Sequence, residues 1–298
     1  MKFTIVTPVY NGEKYISETI EGIISQEGDF EIEYIIQDGG STDSTISIIK
    51  SYDEKIRSGA IPIKCTGISL SWYSEKDTGM YDAVNKGFSK ATGDIYAWIN
   101  SDDFYLPNAF STILRSFVNY PDISWIKGSV VLKDKESSIT EKLPSYIYNQ
   151  NWITRGFYGT IAPFIVQESV FWRSSLWNKG NGIDKTLKLA GDYYLWMQFA
   201  KYAPLWSINT DLSCFRTSPN QLSHDMRPYR LEQQKILPKK DLLYYVVGIF
   251  FWIKIKTKKY PNFAIFLYRL LFKNRNKKIV DLDKNGKLII RTVDSFII

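Results

Sequence analysis

Histidine is almost absent from this 298-residue sequence, which has only His224. Cysteine is scarce too: Cys65 and Cys214 stand alone, with no CxxC spacing. These shortages exclude a His-rich metal site, a paired-cysteine zinc site and a disulfide framework. Reduced, buried thiols in a cytoplasmic protein are the expectation. Any metal must be held mainly by carboxylates and by the substrate, which favours a hard ion such as Mg2+ or Mn2+. Neither GxGxxG nor GxxxxGK[ST] occurs, so no support exists for a dinucleotide fold of that type or for a P-loop. The apolar run LLYYVVGIFFWI (242–253) stops at twelve residues, short of the roughly 20 that span a bilayer. At the N-terminus, MKFTIVTPVYNG enters a short apolar run ending at Pro8, too short for a signal peptide. The chain is expected to begin folding at residue 3.

What is present is ordinary in bulk and uneven in charge. Apolar residues make up 44% and charged residues 23%, enough to bury a sizeable α/β core. Aromatics reach 15%; that excess suits sugar faces, but core and membrane-surface packing is the first reading. The net charge is +7. Residues 235–298 hold fifteen Lys/Arg against four Asp/Glu, a surplus of eleven, which leaves residues 1–234 at −4. A basic tail on a mildly acidic body points to an anionic surface as the tail's partner.

The pattern along the chain predicts alternating strands and helices. FTIVTPV (3–9) and IEYIIQ (32–37) read as buried strands, with a helix through Ile16, Ile20, Ile23 and Ile24 between them. DGGSTDST (38–45) is a turn leading to a helix through Ile46 and Ile49. Met80, Val84 and Phe88 share helical spacing, strand 94–100 ends at SDD, and Pro107 opens a further helix. Strands are expected at 123–132 and 170–173, an irregular stretch at 134–166, a helix from Asp192 to Tyr202 and a strand pair at 205–216. This β-α-β-α order is the opening of a doubly wound, parallel sheet.

Acids fall where strands should end: Asp38 after IEYIIQ, Asp102 and Asp103 after YAWIN. Open parallel sheets bind ligands beyond their strand C-termini, so these acids converge at one mouth. Singly each is a turn or cap residue; together they are better read as a site. TPVYN (7–11), QDGGSTDST (37–45), SEKDTGMYDAVNKG (74–87), NSDD (100–103), QESVFWR (167–173) and GDYYLWMQFAK (191–201) follow one another in an order that resembles the family 2 glycosyltransferases. The resemblance covers residues 3–225. It implies a GT-A, Rossmann-like fold: a mostly parallel central sheet flanked by helices. The catalytic domain is expected over 1–228, its nucleotide-sugar half about 1–105 and its acceptor half about 106–228.

The resemblance also implies roles. Thr7, Pro8 and Tyr10 wrap the nucleotide base and ribose, Asp38 sits at the base edge, and Asp77 lies near base or ribose. Asn85 and Lys86 face the donor diphosphate or sugar. Asp102 contacts ribose or sugar, and Asp103 ligates Mn2+ or Mg2+, with His224 as a further metal or phosphate contact. Arg216 shares His224's ambiguity. Gln167, Glu168, Trp172 and Arg173 shape the acceptor pocket, where Trp172 either stacks on a sugar or packs the core. Asp192 is the catalytic base, because an acceptor hydroxyl needs a carboxylate to take its proton. The sequence departs from the family pattern at Gly39, Ser101 and Gly191, where many relatives carry acids. A UDP-sugar is the expected donor, a saccharide or lipid-linked saccharide the acceptor, and polysaccharide biosynthesis the setting.

The region 229–298 is expected to be a helical, membrane-associating appendage. The runs 242–253 and 263–272 are each followed by lysines, which reads as interfacial helices on an anionic leaflet over 241–278. That places the protein on the cytoplasmic face of a membrane, with packing in a protein or oligomer interface as the other reading. Lysines mixed with apolar runs fit lipid, not nucleic acid. Two competing readings stand behind the transferase. The missing acids allow a catalytically silent nucleotide-sugar-binding protein, whereas a nucleotidyltransferase needs a Gly-rich phosphate signature that TPVYNGEKY lacks.

Overall fold

The computed structural model describes residues 1–134, 139–217, 225–256, 278–283 and 287–292. The chain opens with β1 (Lys2–Val9), α1 (Ile16–Ile24), β2 (Gly28–Asp38), α2 (Thr45–Arg57), β3 (Cys65–Ser74), α3 (Met80–Phe88) and β4 (Ile95–Trp98). β1 runs parallel to both β2 and β4, and β2 runs parallel to β3. Parallel neighbours need crossover connections, which α1, α2 and α3 supply.

β1 is buried from Phe3 to Val9, as a strand covered on both faces must be. Phe3 and Val6, three residues apart, point to opposite faces. Phe3 stacks on Phe110 at 4.9 Å and meets Phe30 edge-on at 5.2 Å. On the other face, a Cβ at Gly87 would fall 2.5 Å from Val6 Cγ1, so the missing side chain lets α3 seat directly on the sheet.

The second half contributes β5 (Phe104–Tyr105), α4 (Ala109–Asn119), β6 (Trp125–Lys133), β7 (Ile139–Leu143), α5 (Gln150–Thr154), β8 (Val170–Arg173), α6 (Ser174–Gly180), α7 (Gly191–Ala200) and β9 (Trp206–Arg216). After these come α8 (Met226–Ile236), α9 (Leu242–Lys256), β10 (Lys278–Leu282) and β11 (Leu288–Thr292). One sheet runs β11-β10-β9-β6-β8-β4-β1-β2-β3, with β5 on β9 and β7 on β6. β8 is antiparallel to both β4 and β6, whereas β6 and β9 are parallel. An aromatic core fills this half. Trp98 stacks on Trp196 at 5.8 Å, and Trp172 meets both edge-on at 5.6 and 6.0 Å.

Four segments differ from the sequence expectation. β3 has polar alternation instead of an apolar run and lies at the sheet's edge, half exposed. Residues 205–216 form one strand, not a pair: Ser207 faces Lys127 and Asp211 faces Ser129, so the intervening polar residues bulge out of register. The stretch 134–166 contains β7 and α5. In the tail, α8 and α9 are helical, but β10 and β11 pair with each other and extend the sheet beside β9. The run 263–272 and the basic residues after it up to Lys277 lie outside the described residues, whereas Lys278 opens β10. Among the described residues no helix is long and apolar enough to cross a membrane.

Candidate active site

The ends of β1, β2 and β3 form a tightly bonded mouth. Asp38 is fully buried at the end of β2. Its Oδ2 accepts from the backbone N–H of Gly40 at 2.9 Å, from that of Ser41 at 3.0 Å and from Ser74 Oγ at 2.6 Å; its Oδ1 accepts from Ser41 Oγ. Four donors on one carboxylate fix the 39–41 turn. That turn is stitched to the β1–α1 loop: Asn11 N–H donates to Ser41 Oγ at 2.8 Å, and Asn11 Oδ1 accepts from Thr42 N–H at 2.9 Å. Asn11 itself sits at φ 49°, a left-handed conformation that asparagine tolerates. Thr7 is fully buried and accepts from the Tyr34 hydroxyl at 3.1 Å, and Pro8 is buried beside it. Tyr10 is open, with 65% of its surface exposed.

The 74–87 segment lies over this mouth. The Asp77 carboxylate accepts from Gly79 N–H at 2.8 Å. A Cβ at Gly39 would lie 2.8 Å from Asp77 Oδ2. The acid missing at position 39 is thus met in space by an acid from a neighbouring loop. Asn85 makes a two-way pair with the backbone of Ile183, donating at 2.8 Å and accepting at 3.1 Å. Lys86 donates to the Lys76 carbonyl at 3.2 Å and lies 3.6 Å from Asp82 and 3.7 Å from Glu75.

Beyond β4 the chemistry changes. Asp103 is buried; its Oδ1 accepts from Arg216 N–H at 2.8 Å, but Oδ2 has no partner among the described residues. The Arg216 guanidinium pairs with Glu18 and reaches the Asp102 carbonyl. Glu168, in a 3-10 turn at Gln167–Ser169, is buried with Oε2 unpartnered and Oε1 3.5 Å from Asn100 Nδ2. Burial, reinforced by Asp102 and then Glu168, holds the Asp103 carboxyl well above its ordinary range. Burial pushes Glu168 up to about 7, with the charges of Asp192 and Asp102 adding to the rise. Glu168 therefore lies within the fields of Asp102, Asp103 and Asp192. Lys127, buried with its ammonium on the Gly128 carbonyl at 2.7 Å, is pushed down to about 7 by burial, although Glu168 opposes the fall.

Asp192 stands in the first turn of α7. Its Oδ1 accepts from Tyr229 at 2.9 Å and lies 3.2 Å from the Tyr81 hydroxyl, which also donates to the Leu189 carbonyl at 2.7 Å. Burial raises its pKa, while the Tyr193 backbone N–H and then the two phenols pull it down. Glycine at 191 is explained by the same ring: a Cβ there would lie 2.7 Å from Tyr81 Cδ2. A pocket beside Asp192 is lined by Ile165, Trp196, Met197, Tyr158 and Phe164, apolar but for the carboxylate and the phenols.

Three expected acceptor residues are used elsewhere. Trp172 is fully buried against Trp98, Trp177 and Trp196, which corrects its placement in the pocket: no ring face is open to a sugar. Arg173 pairs in register with Ile95, the first residue of β4, at the end of that strand away from Asp102 and Asp103. Its guanidinium donates to the Ile123 and Phe117 carbonyls at 2.9 and 2.8 Å; it closes the end of α4 instead of binding an acceptor. Gln167 donates to the Trp98 carbonyl at 2.5 Å and so fixes the end of β4. His224 lies outside the described residues. Sequence reasoning missed Tyr81, Lys127, Tyr229 and Glu232, none of which stands at a strand end.

Among the described residues no cluster of three His, Cys, Asp or Glu side chains is set as a complete metal cage. Hard cations bound with a nucleotide need fewer protein ligands, because the diphosphate supplies oxygens. Asp103 Oδ2, which has no partner among the described residues, fits such an ion, with Asp102 next to it in the chain.

Known proteins resemble this chain in both sequence and fold. The family described as "Glycosyl transferase family 2" matches residues 4–174. An uncharacterised glycosyltransferase of Rickettsia typhi is 26% identical over 206 residues, 68% of this chain and 60% of its own length. A PGL/p-HBAD biosynthesis glycosyltransferase of Mycobacterium bovis is 25% identical over 172 residues, 54% of this chain and 62% of that one. The chain thus spans about 60% of the length of some curated relatives it matches and about a third of others. Among solved structures, S. aureus TarS 1–349 in complex with UDP-GlcNAc aligns at TM-score 0.54 and 16% identity, covering 89% of this chain and 76% of that one. Mannosyltransferase PcManGT from Pyrobaculum calidifontis, in complex with GDP-Man and Mn2+, aligns at TM-score 0.56 and 15% identity, covering 91% and 75%. The chain belongs to glycosyl transferase family 2, and its fold is the GT-A fold.

Proposed function

We propose that the protein is an inverting glycosyltransferase that moves a sugar from a UDP-sugar to a hydroxyl of a saccharide or lipid-linked saccharide in polysaccharide biosynthesis. The observation that carries this reading is the buried acidic end of β4, where Asp103 Oδ2 and Glu168 Oε2 have no partner among the described residues, with the Asp192 carboxylate in the first turn of α7. Tyr10 and the 39–41 turn form the base side, and Asp77 stands in for an acid at Gly39. Asp103 would hold Mn2+ or Mg2+, which when bound would offset charge on the departing diphosphate, and Asp102 would contact the ribose or sugar. Asp192 takes the acceptor proton as the acceptor oxygen bonds the anomeric carbon and the bond from that carbon to the diphosphate breaks. Displacement from the face opposite the leaving group inverts the anomeric carbon. The solved UDP-GlcNAc and GDP-Man complexes of similar folds support a nucleotide-sugar donor.

The tail supports docking on the cytoplasmic face of a membrane. Leu242, Tyr245 and Ile249, at helical spacing on α9, are more than half exposed, while Val247 and Tyr244 pack inward. The surplus of positive charge over 235–298 favours anionic lipid.

Calorimetry of UDP, GDP, dTDP and CDP, with and without Mn2+, tests the donor site in wild type and Asp103→Ala. One nucleotide should bind with metal and lose at least tenfold in affinity in the variant. No binding by folded wild type would move the reading away from a transferase.

A further inference from the structure

We infer that α8, in the C-terminal region, belongs to the catalytic machinery: Tyr229 positions Asp192, and Glu232 anchors the loop that carries it. This rests on Asp192 being the base and goes further by naming what holds it. Glu232 accepts three consecutive backbone N–H groups: Lys188 at 2.9 Å, Leu189 at 2.7 Å and Ala190 at 2.6 Å. These donors belong to the loop that leads directly into the first turn of α7. A single carboxylate therefore ties α8 to the loop immediately before Asp192. One turn of α8 earlier, Tyr229 sends its hydroxyl to Asp192 Oδ1.

The two phenols on Asp192 are not equivalent. Tyr81 has one hydrogen and two acceptors, and the Leu189 carbonyl at 2.7 Å is nearer than the carboxylate at 3.2 Å. Tyr229 has Asp192 as its acceptor and is the dedicated donor. Both phenols meet Oδ1, and among the described residues no side chain donates to Oδ2. The other groups facing this carboxylate are Glu168 from the 3-10 turn and Tyr158 after α5, with Lys188 and Glu232 flanking the loop. The Tyr229 ring also lies edge-on to Phe164 at 5.8 Å, so phenylalanine at 229 keeps the packing and removes only the hydroxyl.

The test uses the full chain and two readouts. Carboxyl-13C titration of Asp-labelled protein, with the Asp192 signal assigned by its loss in Asp192→Asn, needs no substrate. In Tyr229→Phe the Asp192 pKa should rise by about one unit, because a donor to the charged form is gone. Turnover of the nucleotide-sugar that wild type accepts should fall about tenfold in kcat, and the acid limb of its pH profile should move up with the pKa. The nucleotide Kd should stay within twofold. An unchanged Asp192 titration in folded Tyr229→Phe would overturn the proposal, as would a kcat loss with no movement of the pH profile. Asp192→Asn separates the two failures: full turnover in that variant sinks the base itself, whereas lost turnover there with an unaltered Tyr229→Phe sinks only the role of α8.

Discussion

The two sides of the mouth hold their carboxylates in opposite ways. At the β2 end, Asp38 is buried and met by four donors. At the β4 end, Asp103 Oδ2, Glu168 Oε2 and Asn100 Oδ1 are buried with none among the described residues. Native interiors leave few polar atoms unpaired, and those few tend to mark function. The first side is built for shape and the second for charge. A rigid, satisfied turn can present a nucleotide pocket; an unsatisfied acidic cluster is poised for a cation or a proton.

This comparison is open to direct attack. Asp38→Ala should cost about 3 kcal/mol or more in urea unfolding, because it strands several buried donors. A loss under 1 kcal/mol would mean that the turn holds itself. Glu168→Gln should do the reverse and stabilise the metal-free protein by roughly 1–3 kcal/mol at pH 8. The sign follows from its raised pKa. The folded chain holds the proton between the ordinary value of 4.5 and about 7. Wild-type stability from this group is therefore full below 4.5 and is lost as pH rises through 7. The gain in Glu168→Gln should vanish near pH 4; a gain independent of pH would contradict the burial argument. Arg173→Met should have the smallest effect, about 1 kcal/mol of stability from two lost carbonyl contacts. Any change in acceptor KM there would return Arg173 to the site.

How far the sequence could be read depended on where each residue gets its environment. β1 and β2 were legible because strands covered on both faces must be apolar. The acids after β2 and β4 were legible because parallel strands deliver their ends to one mouth. β3 was missed because an edge strand half open to water carries serine and threonine. Trp172 and Arg173 could not be placed from composition: the same ring serves a core or a sugar, and only the register with Tyr96 and Ile95 decides. Gly39 and Gly191 looked like losses; the space beside each is occupied by Asp77 and Tyr81, residues 38 and 110 positions away. Tyr229 and Glu232 gave no signal, since a helix that reads as polar surface in sequence reaches the site only through the fold.

The central claim is that Asp192 is the base of a sugar transfer whose donor is held separately by the β1, β2 and β4 ends. The measurement that tests it most directly is turnover beside nucleotide affinity in Asp192→Asn, an isosteric change that keeps the acceptor for Tyr229. The account predicts a fall of at least a hundredfold in kcat, with nucleotide Kd within about twofold of wild type. Undiminished turnover in a folded Asp192→Asn protein would contradict it.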